Sequence, residues 1–153
     1  MARIAALIAV LGTAVVYGTD VFCAMVQRPA LARVDDRALA TVMGNVHLYG
    51  DRRMPLPGVL GFAAATTSAV LAAIAGQWIA AIAAAVAVGL LSAWIVLYAR
   101  VSAPINRQLT EAANSGAVPP NVRVLQSNWD RVIGARAVLQ GIAVAALCIT
   151  LVM

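Results

Sequence analysis

Eight side chains in this sequence combine type and position in a way that could do chemistry: Tyr17, Asp20, His47, Arg52, Asn106, Trp129, Arg136 and Gln140. Asp20 interrupts an apolar run. An aspartate inside a membrane-spanning helix costs about 2.5–3.5 kcal/mol on insertion scales, so it persists only where a partner or a function holds it. Thr13, Tyr17, Asp20, Ala24 and Gln27 step by three and four residues and therefore share one helix face. Trp129, Ile133, Arg136 and Gln140 share a face of the last helix in the same way. At about 1.5 Å rise per residue, Asp20 and Arg136 lie at similar depths below the same end of their helices, so a buried ion pair is sterically reasonable. Two readings stay open: a structural salt bridge that sets helix register, or one wall of a ligand cavity with Tyr17 and Gln140 as further hydrogen-bonding groups.

His47 is the only histidine. An ordinary imidazole pKa of about 6.5 suits a general base or acid near neutrality, although a structural or surface role is the plainer reading. Zinc or haem needs further ligands that do not cluster near it, so no metal and no cofactor are expected. Asp51, Arg52 and Arg53 read as interfacial charges, with Arg52 or Arg53 alternatively holding an anionic or phenolate oxygen. Trp94 and Tyr98, beside Arg100, read as interfacial anchors, and the separated Cys23 and Cys148 as small apolar packing residues.

The elements that must position these groups follow from composition. Hydrophobic residues make up 63% of the chain, charged residues 11%, and mean hydropathy is +0.90, so lipid is the solvent for most of it. Four runs are long enough to cross a bilayer, at about 5–25, 56–75, 78–99 and 132–153. The first resembles a signal peptide, but it is long and lacks an A-x-A site, so it reads as a retained helix. The expected fold is all-α: a membrane four-helix bundle forming a single integral membrane domain over 1–153, with short amphipathic helices in loops one and three. Only Gly76 and Gln77 separate the second and third runs, which predicts a tight antiparallel hairpin, and the Ala-rich composition of both suits close helix packing.

In the first loop Asp35 can cap a helix whose apolar face is Leu39, Val42, Met43 and Val46. In the third loop a helix is predicted from Ser102 and Pro104 to Gly116, and Asn121 can cap a last helix that protrudes beyond the lipid. All eleven basic residues are arginines, concentrated in these two loops, and the net charge is +5. The positive-inside rule then puts both loops in the cytoplasm and both termini outside a cell membrane crossed several times. Because the arginines flank apolar runs, nucleic acid is not an expected partner. Expected partners are membrane lipid and a hydrophobic small molecule, with a homo-oligomer or a larger membrane complex as the assembly in which a non-catalytic subunit would serve. There is no GxSxG, phosphate loop, HExxH or haem-attachment motif.

Four spans, a histidine in the first loop, PIN at 104–106, and Trp129 followed seven residues later by Arg136 together resemble the anthrone-oxygenase-like family of small four-helix integral membrane proteins. Ile133 departs from that pattern, standing where the family often has a polar residue. The resemblance implies an oxidoreductase that converts an anthrone-like aromatic or phenolic substrate to a quinone with dioxygen as co-substrate and no cofactor. It implies His47 as the base and Arg136, with Arg52, as the group that stabilises the substrate anion. Asn106 and Trp129 would shape the pocket, lined further by Tyr17, Asp20 and Gln140. The alternative is a non-catalytic membrane subunit or a lipid- or small-ligand-binding module.

Overall fold

The computed structural model describes residues 1–153 as five helices and no strand. These are α1 (Ala2–Leu31), α2 (Asp36–Arg53), α3 (Pro55–Ile74), α4 (Trp78–Ser115) and α5 (Val122–Val152). All but α2 are long and apolar enough to cross a membrane. Even α3, with 20 residues, reaches about 30 Å, the thickness of a hydrocarbon core. The chain is an all-α bundle with the architecture of a multi-pass membrane protein.

The α3–α4 hairpin closes where expected. Gly76 adopts φ +71°, which lets the Gln77 N–H donate to the Ala72 carbonyl and the Gly76 N–H to the Ala73 carbonyl. These two bonds satisfy two carbonyls of the last turn of α3. The same end of the bundle holds both chain termini: Ser68 Oγ donates to the Ala2 carbonyl at 3.0 Å and Thr150 Oγ1 to the Ala80 carbonyl at 3.3 Å. Small residues Ala2, Ala72, Ala80 and Ala81 pack this end tightly. Backbones approach closely between α1 and α3, where a Cβ on Gly12 would lie 2.8 Å from the Gly61 nitrogen. The opposite end is built differently: large side chains, including Leu39, Met43, Leu109 and Ile133, form its core under α2.

Two expectations about boundaries are corrected. The third span and the third-loop helix are not separate, because α4 runs unbroken from Trp78 to Ser115 through a π turn at Tyr98–Ser102. The first span likewise continues through a π turn at Cys23–Gln27 as far as Leu31. Each π turn is followed, after one intervening residue, by a proline, Pro29 or Pro104. Proline lacks an N–H and its ring collides with the carbonyl four residues back in a regular helix. Widening the preceding turn, with Arg28 N–H bonded to the Cys23 carbonyl and Ala103 N–H to that of Tyr98, keeps the helix continuous.

Asp35 caps α2 as expected, its carboxylate accepting from the Ala38 N–H at 2.7 Å. The buried face, however, is rotated from the expected one. Leu39 and Met43 are buried, but Val42 and Val46 are 46% and 41% exposed, and His47 turns inward. Gly44 explains the rotation: the backbone of α4 crosses so close that a Cβ there would collide with the Leu109 carbonyl, and Thr110 Oγ1 donates to the Gly44 carbonyl at 3.2 Å. Docking through Gly44 puts residues 39, 40, 43, 44 and 47 on the contact face. Arg123 at the start of α5 holds the α1–α2 turn, bonding Asp36 Oδ1 at 2.6 Å and the carbonyls of Leu31 and Val34.

Candidate functional site

Beneath α2, at the end of the bundle away from the termini, lies a cavity of about 370 Å³, within the range of small-molecule sites. Its polar wall comprises Asp20, His47, Asp51, Asn106, Trp129 and Arg136, with Trp94 and Tyr98 beside them. Val16, Val59, Phe62 and Ile95 contribute the apolar remainder.

Asp20 and Arg136, 3% and 6% exposed, form the expected pair. It is bidentate: Arg136 Nη2 donates to Asp20 Oδ1 at 2.8 Å and Nε to Oδ2 at 3.1 Å. Oδ2 also accepts from Trp94 Nε1 at 3.1 Å and Gln140 Nε2 at 2.6 Å. Four donors saturate the carboxylate. On the other side Arg136 Nη1 donates to Ser102 Oγ at 2.8 Å. The guanidinium also sits 5.5, 5.6 and 5.8 Å from the ring centroids of Trp94, Tyr98 and Trp129. Such stacking suits its planar, weakly hydrated charge. Three of its five N–H groups are used, which leaves two for a ligand.

A second network runs beside the first. Asp51 Oδ1 accepts from Tyr98 Oη at 2.8 Å and from Asn106 Nδ2 at 2.9 Å, while Asn106 Oδ1 accepts from Trp129 Nε1 at 3.1 Å. These bonds link α2, α4 and α5 across the cavity and fix the orientation of both aromatic rings. His47 packs on Trp129 with ring centroids 5.4 Å apart, is 4% exposed, and its buried Nε2 has no hydrogen-bond partner. Burial pushes the imidazole pKa down to about 4, with the Arg136 charge adding to that effect and Asp51 opposing it. His47 is therefore neutral at pH 7.

This has a consequence for stability. Between pH 6.5 and 4 the unfolded chain protonates His47 and the folded chain does not, so stability falls as pH drops through that window and levels off below it. The loss is about 3 kcal/mol, from about 1.4 kcal/mol per pH unit. Thermal unfolding in detergent micelles across this range should show the slope, and His47→Gln should remove it. A wild-type midpoint independent of pH would contradict the burial of a neutral imidazole.

Of the residues singled out in the sequence, Asp20, His47, Asn106, Trp129 and Arg136 all come to the cavity wall. Gln140 stands behind it and serves Asp20. Tyr17 does not line it; its ring packs over Gly141, where a Cβ would lie 3.2 Å from the ring. Arg52 is exposed and outside the cavity, because it lies off the buried face of α2. Ile133 is fully buried in the core under α2, not on the cavity.

Trp94 and Tyr98, expected as interfacial anchors, Asp51, expected as an interfacial charge, and Cys23, expected as packing, all line the cavity, and Ser102, expected at a helix start, holds Arg136. A signal existed in the four-residue steps Trp94, Tyr98, Ser102 and Asn106. On a regular helix such a row drifts about 40° per step, but the wide turn at 98–102 takes up the drift.

Comparison with protein families, with curated proteins and with solved structures finds no match. Fold and site together define an all-α bundle of four membrane-length helices with an aromatic-walled cavity near one end.

Proposed function

We propose that the cavity takes up a hydrophobic aromatic or phenolic molecule from the bilayer and oxidises it with dioxygen, in the manner of the anthrone-oxygenase-like family. The observation that carries this reading is the neutral His47, whose buried Nε2 is unpartnered on an apolar cavity beside a fixed guanidinium. Val59 and Ile95, which line the cavity, are also exposed on the outer surface of α3 and α4, which suits access from lipid.

His47 Nε2 would remove a proton from an activated methylene, leaving an anion delocalised over the aromatic system. The two free N–H groups of Arg136 would stabilise that charge, and Asp51 the imidazolium. An electron-rich anion of this kind reduces dioxygen directly: carbon–oxygen bond formation gives a peroxide, which loses water to leave a carbonyl. One oxygen atom enters the product and the other leaves as water, with the His47 proton returned to the departing oxygen. Exclusion of water by the rings of Trp94, Tyr98 and Trp129 would strengthen each of these interactions. With the arginine-bearing loops facing the cytoplasm by the positive-inside rule, the cavity lies at the cytoplasmic end.

A non-catalytic ligand-binding module is the second reading, favoured by the saturation of Asp20 and the partial commitment of Arg136, which would keep the wall rigid. Both readings require binding. Anthrone titrated into the detergent-purified protein should quench tryptophan fluorescence saturably through Trp94 and Trp129. Gly58 lines the cavity, and a Cβ there would meet only Val16 Cγ2, at an ordinary 3.9 Å, so Gly58→Leu should fill part of the volume and weaken binding at least about tenfold. Unsaturable quenching, or equal affinity in the variant, would remove both readings. Binding without turnover would select the second.

A further inference from the structure

A second cleft, of about 590 Å³, opens at the same end of the bundle between the C-terminal turns of α1, the start of α2 and the first turns of α5. It shares no lining residue with the aromatic cavity. Arg28 and Arg131 stand on its rim and are exposed; Arg131 makes no ion pair and Arg28 reaches Asp130 only at 3.9 Å. Two cations are thus close to uncommitted. The floor is of opposite character. Gln126 is 5% exposed, its Nε2 donates to Asp130 Oδ1 at 2.9 Å, and its buried Oε1 has no partner. The Asp130 carboxylate fixes the orientation of that amide, since only the nitrogen can donate to it. An acceptor on a residue of the cleft floor is therefore left unpaired, which is costly unless something donates to it.

Depth identifies the level. About 20 residues of helix cross the hydrocarbon core, so with α1 entering lipid near Ala5 the core ends near Met25. Arg28 lies one turn beyond, and Arg131 one residue before the apolar part of α5. Both stand at headgroup level.

We infer that this cleft binds a phosphate group carrying a hydrogen-bond donor beside it, the chemistry of a phosphatidylethanolamine or phosphatidylglycerol headgroup. Arg28 and Arg131 take the phosphate oxygens, and Gln126 Oε1 with Asp130 accepts from the ammonium or hydroxyl. Pro29 and Ala32, both exposed, supply apolar surface for the first methylenes of the acyl chains. Phosphatidylcholine, with the same phosphate but no donor, leaves Gln126 unpaired and is discriminated against.

Native mass spectrometry of the detergent-purified protein with each of the three lipids tests this. Retention of the ethanolamine and glycerol lipids should exceed that of the choline lipid at least about tenfold, the effect of about 1.4 kcal/mol. The double variant Arg28→Ala, Arg131→Ala should lose all three, and, both sites being exposed, it should keep the wild-type thermal midpoint. Gln126→Leu, which leaves Asp130 as an acceptor, should narrow the preference for the ethanolamine and glycerol lipids over the choline lipid. Calorimetry with glycerol 3-phosphate distinguishes the source: affinity matching that of the lipids assigns the same site to a soluble phosphate ester, and weak or no binding assigns it to lipid. Equal retention of the choline lipid by wild type, or unchanged binding in the double arginine variant, would overturn the inference.

Discussion

Asp20→Ala should cost the folded protein about 3–5 kcal/mol, because it strands a buried guanidinium whose charge the membrane interior cannot solvate. The substitution also removes the acceptor for Trp94 Nε1 and Gln140 Nε2, and each orphaned donor adds a penalty. Against a total stability of about 5–15 kcal/mol, such a loss is enough to lower yield and bring the thermal midpoint far down. Arg136→Ala should be comparably severe, since it leaves a carboxylate in the same place. Replacing both residues by apolar groups of similar bulk, Asp20→Leu with Arg136→Met, should restore much of the loss, because the cost belongs to the unpaired charge. Thermal unfolding of the two single variants and the double variant in micelles measures this. Single variants within about 1 kcal/mol of wild type would mean that the pair is solvated, contrary to its burial.

The second large effect is on turnover. His47→Gln keeps a polar side chain under α2 but has no group that can take a proton, so the initial rate of anthraquinone formation should fall about 10²–10⁴-fold. Binding of anthrone should change only a few-fold, since the rings and aliphatic side chains of the wall remain. The separation of rate from affinity distinguishes a base from a side chain that merely shapes the cavity. A variant that retains more than about a tenth of the wild-type rate would assign the proton transfer elsewhere.

The fold was legible where physics acts locally. Apolar runs of bilayer length mark all four long helices, Asp35 marks the start of α2, and Gly76 marks the turn between α3 and α4. An aspartate and an arginine at similar depth in two spans announced their own pairing, since neither is tolerable in lipid alone. What could not be read depended on how helices meet. The rotation of α2 follows from the contact of Gly44 with α4, and that contact turns Val42 outward and His47 inward. Trp94 and Tyr98 have the composition of an interfacial belt, and only the neighbouring positions of Asp20 and Asp51 convert them into hydrogen-bond donors. The π turns ahead of Pro29 and Pro104 were likewise missed, because proline after an apolar run is also how a helix ends.

The proposed activity is oxidation of a lipid-soluble aromatic molecule in a helical cavity walled by aromatic rings, with His47 as the base. Oxygen consumption by the purified protein in anthrone-containing micelles under ¹⁸O-labelled dioxygen tests it most directly. The expected result is a rate well above that of protein-free micelles, equimolar consumption of dioxygen and anthrone, and one labelled atom in the new carbonyl with the other in water. A rate equal to that of protein-free micelles would contradict it.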